Sequence, residues 1–142
     1  LRGFPDPLCR QGPTLGCRKK RLIALADWEF GGGGGYCAAC GPVCPECPAR
    51  LNALQTWEGA QVWDLVQRLG GQLRLIPGVV IGWDMGAALA LGAALGIPAL
   101  AVAELLPPIE AVMVRKINEH ISAGSGQQLQ LLALCSKSGV AA

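Results

Sequence analysis

The stretch from Trp63 to Glu110 sets the limits on what this chain can fold into, because strong apolar patterning is repeatedly cut by helix-breaking pairs: Gly70-Gly71, Pro77-Gly78, Gly96-Ile97-Pro98 and Pro107-Pro108. Long uninterrupted elements are thereby disfavoured. With a Gly- and Pro-rich first third in a chain of 142 residues, the foldable part comes to about 70 residues, where a single core is only marginally sufficient. A small domain that leans on a partner, or on other copies of itself, is the expectation.

Within that frame the apolar period reads as helices. From Asn52, an N-cap candidate, NALQTWEGAQVWDLVQRL places Leu54, Trp57, Val62, Leu65, Val66 and Leu69 on one broad face, and Gly70-Gly71 stops the helix. GQLRLIPGVVIGW is too rich in Gly, Pro and β-branched residues to continue it. The alternatives are a short hairpin around Pro77-Gly78 or an irregular loop whose Leu73, Leu75, Val79 and Ile81 alternate into the core. Asp84 caps a second helix, Met85 to Leu95, with Trp83 at its entry and Gly96 as its left-handed end. A short third helix runs from Pro98 to Leu106 and stops at Pro107-Pro108. A fourth starts at Pro108 and carries Ile109, Val112, Met113, Lys116, Ile117, His120 and Ile121 at helical spacing. The fold class is mainly α, a small bundle of three to four helices. Residues 1–50 form a disordered or loosely ordered Gly/Cys-rich leader, 51–122 the helical domain and 123–142 a flexible tail. Asp27 to Phe30 (DWEF) offers an aromatic pair to the core, and Gly31 to Gly35 makes a hinge without side chains.

Charge separates the parts. Residues 1–50 hold seven Lys/Arg against four Asp/Glu, and residues 51–122 hold four against six. Arg18, Lys19, Lys20 and Arg21 form a basic run that reads as a solvated tail, and no aromatic interleaving points to nucleic acid. The run precedes only LIALA, an apolar stretch too short for export, so a cytoplasmic setting is expected. Met85 to Ala103 is uncharged for 19 residues, which raises a single-span membrane protein as a rival. Ala and Gly supply most of it and Gly96-Ile97-Pro98 breaks it, so a buried helix-break-helix is the expected form and no membrane is implied.

The strongest chemical signal is C-x2-C-x3-C-x2-C, formed by Cys37, Cys40, Cys44 and Cys47. Two C-x-x-C turns can offer four thiolates to a soft ion such as zinc. Only three residues separate them, where zinc ribbons place a dozen or more, so reduced thiols on a flexible segment remain the alternative. Iron–sulfur or redox work lacks its sequence context. Zinc is the one cofactor suggested, and a small zinc-binding interaction module the first rival reading. Catalysis finds little to build on. His120 is the single histidine and reads as a helix-end packing residue, Asp84 as a cap, and Asp64, Glu104 and Glu110 as solvated faces. Gln72 and Arg74 lie two residues apart on the turn after the first helix. They either bond loop carbonyls or face a partner. The chain is read as a non-enzyme.

One order of features resembles a known family: Trp63 with Leu65, the Q-x-R turn of Gln72 and Arg74, Gly78, then Gly82-Trp83-Asp84 before an Ala-rich helix, Leu95-Gly96-Ile97, and Leu105 to Glu110 leading the last helix. It is similar to small tailed-phage and prophage proteins of the tail-assembly-chaperone type, encoded beside the tape-measure gene. The resemblance spans residues 54–120, and the Cys- and Gly-rich leader departs from it. It implies a small helical protein in the host cytoplasm that escorts a long helical tape-measure chain or another tail protein, as a monomer or homo-oligomer. Trp63, Gln72, Arg74 and Trp83 are the candidate partner-binding residues.

Overall fold

A computed structural model of the chain describes residues 15–33, 35 and 47–124. The protein is mainly helical. Five α-helices are described: α1 (Leu15–Trp28), α2 (Pro48–Leu51), α3 (Trp57–Arg68), α4 (Met85–Ala94) and α5 (Ala99–Ala123). A two-stranded antiparallel hairpin, β1 (Leu73–Ile76) and β2 (Val79–Trp83), lies between α3 and α4.

Helix α3 starts at Thr56, not Asn52. Thr56 is extended at φ −124°, ψ 148°, and its hydroxyl accepts from the Gly59 amide at 3.1 Å, satisfying one of the orphan donors of the first turn. Residues 48–51 are tied off separately, the Arg50 and Leu51 amides bonding to the Cys47 carbonyl. This later start moves Trp57 out of the core. It lies nine residues from Val66, which is two and a half turns and hence the opposite face, and it is 75% exposed while Val62, Leu65, Val66 and Leu69 are buried.

Asp84 does cap α4, its Oδ1 accepting from the Ala87 amide at 2.9 Å. Trp83 and Ala88, on either side of the cap, both lie in the core, the arrangement of a hydrophobic staple. At the other end Gly96 has φ 72°. The Gly96 amide bonds to Ala93 and the Ile97 amide to Gly92, a Schellman closure that turns Ile97 inward. The uncharged run is thus split. Helix α4 is 10 residues long, about 15 Å against a hydrocarbon core of about 30 Å, and no helix among the described residues is long and apolar enough to cross a membrane.

The expected break at Pro107-Pro108 is absent: α5 runs 25 residues through both prolines. Val102, Leu105, Leu106, Ile109, Val112, Met113 and Ile117 keep one unbroken buried stripe across the pair. Pro107 is exposed and Pro108 half-buried, so the hydrogen bonds they cannot make belong to the outer side, where water can replace them. Packing of the inner stripe outweighs the local cost.

The structure also places a helix inside the expected leader. Helix α1 sends Leu22 (2% exposed), Leu25 and Ala26 into the core. The basic run at its start docks instead of trailing in solvent: Lys19 Nζ lies 2.8 Å from Glu104 Oε2 and Arg18 3.9 Å from Glu58. Near its end Asp27 pairs with Arg115 at 2.7 Å and Lys116 at 3.5 Å. Glu104 is therefore an ion-pair partner and not a solvated face. The chain then turns through Glu29–Gly33. Phe30 packs against the core and meets the Trp83 ring at 6.5 Å between centroids. A side chain at Gly33 would run into the Trp28 ring, so Gly33 is closely packed, while Gly31 and Gly32 are exposed.

Candidate functional site

The hairpin leaves four large apolar side chains exposed: Leu75, Ile76, Val79 and Ile81. Pro77-Gly78 makes its turn, with Gly78 at φ 77°, the value a type II turn requires at that position. The register pairs Ile76 with Val79, Leu75 with Val80, Arg74 with Gly82 and Leu73 with Trp83. Ile81 has no partner in that series. One extra residue on β2 reverses side-chain parity beyond it, and this overturns the expected alternation. Val80 and Trp83 point into the core at 3% exposure each, while Val79 and Ile81 point out. Directly opposed residues share a face, so Ile76, Val79, Ile81 and Arg74 form the outer face. Leu75, opposite Val80, lies on the inner face yet is 58% exposed.

Two polar side chains of α5 hold β2 in place. Asn118 clasps Val80, its Oδ1 accepting from the Val80 amide and its Nδ2 donating to the Val80 carbonyl, both at 2.9 Å. Glu110 Oε1 accepts from the Trp83 amide at 2.7 Å. Glu110 is thus a structural acceptor, contrary to its reading as a solvated face. Gly82 makes room for it: its φ is 148°, and a Cβ there would collide with the Glu110 carboxylate.

Of the four partner-binding candidates, Trp83 is buried and packs internally. Trp63 is partly buried against the core. Gln72 and Arg74 are exposed, and the Gln72 carbonyl accepts from the Asp84 amide at 2.8 Å. Sequence reasoning missed the apolar residues beside them: Leu75, Ile76, Val79 and Ile81 are 58%, 52%, 40% and 44% exposed. The unbroken β-branched run VVI was the available signal, since a strand with one solvated face should alternate.

A second apolar area lies around Trp57. Ala60, Gln61, Asp64, Leu95 and Ile97 line a recess of about 360 Å³ with it. Leu89 and Leu100 are also exposed. Asp64 pairs with Arg68 at 2.9 Å along α3.

The cysteine quartet falls mostly outside the described residues, which include Cys47 but not Cys37, Cys40 or Cys44. Cys47 is buried. Among the described residues no three His, Cys, Asp or Glu side chains gather as a metal site. Among the described residues one titration is perturbed: burial pushes the Glu29 carboxyl above its ordinary value, because desolvation disfavours the charged form.

The profile of a family described as "Family of unknown function (DUF7697)" matches residues 75–126. That segment holds most of the hairpin, α4 and α5. No curated protein and no solved structure matches the chain significantly.

Proposed function

We propose that this chain is a non-catalytic docking protein that receives an apolar helical segment of a partner on the outer face of its hairpin. Its role is that of the tail-assembly chaperones it resembles: escort of the tape-measure chain, or of another tail protein, in the host cytoplasm. The observation that carries the reading is the set of three branched apolar side chains, Ile76, Val79 and Ile81, held outward on one face and flanked by the exposed Arg74 and Gln72. Contiguous apolar patches with a polar rim are the usual form of a protein-docking surface. An amphipathic helix meets such a face with residues spaced i, i+3, i+4 and i+7, while its own charges remain at the rim.

Titration of the full chain with peptides tiled along the tape-measure protein tests this. Val79→Lys and Ile81→Lys are expected to weaken binding at least about tenfold, and Leu100→Lys, on the other apolar area, to leave it unchanged. Binding that ignores both hairpin variants, or no binding by any peptide, overturns the proposal.

A further inference from the structure

The two edges of the hairpin are treated differently by the fold. In an antiparallel pair, residues directly opposite either exchange both hydrogen bonds or turn both backbone groups away from each other. Val80 gives its amide and its carbonyl to Asn118, so its pair with Leu75 is of the second kind. Leu75 must then turn its own N–H and C=O outward, on the edge of β1 away from β2. No hydrogen bond to either group is made by a described residue outside the hairpin ladder. One edge is closed by an asparagine; the other presents an open donor and acceptor beneath side chains that are 58% (Leu75) and 52% (Ile76) exposed. Natural sheets usually blunt such an edge with charge, proline or a covering element.

We propose that β1 pairs with β1 of a second copy of this chain, in antiparallel fashion about a two-fold axis at Leu75, giving a four-stranded sheet in the order β2-β1-β1-β2. This goes beyond the docking role and does not depend on it. The occupant is chosen by charge and register. Arg74 is the only charge on either strand of the hairpin, and the axis at Leu75 sets each Arg74 opposite Ile76 of the other copy, where its aliphatic stem can lie along an apolar side chain. An axis at Arg74 would oppose two guanidinium groups. The axis at Leu75 also joins the open N–H and C=O of the two copies reciprocally, as an isologous interface requires. Paired strands of four residues bury much less than the roughly 800 Å² per partner of a standard interface. The dimer is therefore a weak one, in the micromolar range or above.

Sedimentation equilibrium of the full chain under reducing conditions, up to about 0.5 mM, tests the proposal, with circular dichroism to verify folding. The wild type is expected to show a monomer–dimer equilibrium. Leu75→Pro removes an amide that the hairpin itself does not use, so it is expected to keep the fold and weaken the dimer at least tenfold. Ile76→Lys and Ile76→Glu form the decisive pair. Lysine would face Arg74 of the other copy and weaken the dimer at least tenfold, whereas glutamate would face it as an ion-pair partner and keep or tighten the dimer. A wild type that stays monomeric overturns the proposal. So does a dimer indifferent to Leu75→Pro, or equal weakening by lysine and glutamate, which would mean association through an apolar face and not through the strand edge.

Discussion

Replacing Asn118 by alanine removes both hydrogen bonds that fasten Val80 to α5, each 2.9 Å long, without deleting any apolar core atom. A typical intramolecular hydrogen bond contributes about 0.5–1.5 kcal/mol net. Val80 is only 3% exposed, so water re-satisfies its amide and carbonyl poorly, and the loss sits toward the upper part of the range, about 2–3 kcal/mol for the pair. Alanine returns part of this, because it is a better helix former than asparagine by up to about 0.7 kcal/mol. The expected net destabilisation is about 1.5–3 kcal/mol, or roughly 10 °C in Tm for a domain of this size. Ser122→Ala is the control on the same helix. Its hydroxyl bonds back to the Asn118 carbonyl at 2.9 Å and is exposed, so its removal should change stability by less than about 0.5 kcal/mol. Urea denaturation measures both variants, and hydrogen exchange at the Val80 amide locates the effect. A loss for Asn118→Ala no larger than the control's, with Val80 exchange unchanged, would refute the clasp as what seats the hairpin.

The remaining expectations concern residues whose roles the fold reversed or defined. Trp83→Ala should cost about 3–5 kcal/mol in urea denaturation as a buried large-to-small change, whereas Trp57→Ala, at a position 75% exposed, should cost under about 1 kcal/mol; equal costs would contradict the assignment of faces on α3. Pro107→Ala should stabilise the protein by about 1–3 kcal/mol, because an exposed interior proline is replaced by the best helix former; a loss of stability would mean that α5 needs the proline. Glu29 has a folded pKa raised by burial, so its protonated form favours the native state and its contribution is lost as pH rises through that folded value. Glu29→Gln should therefore gain stability relative to wild type at pH 7 and gain almost nothing at about pH 3.5, below the ordinary carboxylate value; a gain that does not change between the two pH values would exclude the titration as its cause.

Where local chemistry decided an element, the sequence was enough to place it. Asp84, Gly96 and the stripe from Ile109 to Ile117 were legible because a cap, a left-handed glycine and a helical period act within a turn or two of chain. Pro107-Pro108 failed as a boundary for the opposite reason. The rule that proline ends a helix concerns one or two lost hydrogen bonds, while the stripe from Val102 to Met113 buries six large side chains on the other side of the same helix. Helix α1 was hidden because LIALA is a short signal among basic residues. Its stability comes from Leu22 and Ala26 meeting the core and from carboxylates at Glu58 and Glu104, far away in sequence.

The candidate surface was half visible for a reason that also bears on its use. Arg74 and Gln72 could be recognised by type, but whether Val79 or Val80 faces outward depends on the unpaired Ile81, and a one-residue insertion in a ladder leaves almost no mark in a run such as VVIGW. The residues that determine the outcome are Glu110 and Asn118, which lie 27 and 38 residues from the backbone groups they bind. Each of them hydrogen-bonds to β2, and neither hydrogen-bonds to β1. The side-chain hydrogen bonds from α5 thus fall on β2, while Leu73 alone of β1 packs against the core, and the other edge and the outer face are left to whatever binds there. Any variant that loosens the clasp without emptying the core should weaken self-pairing and partner docking together, whereas a substitution on the outer face of β2, such as Ile81→Lys, should affect docking and spare the pairing edge of β1.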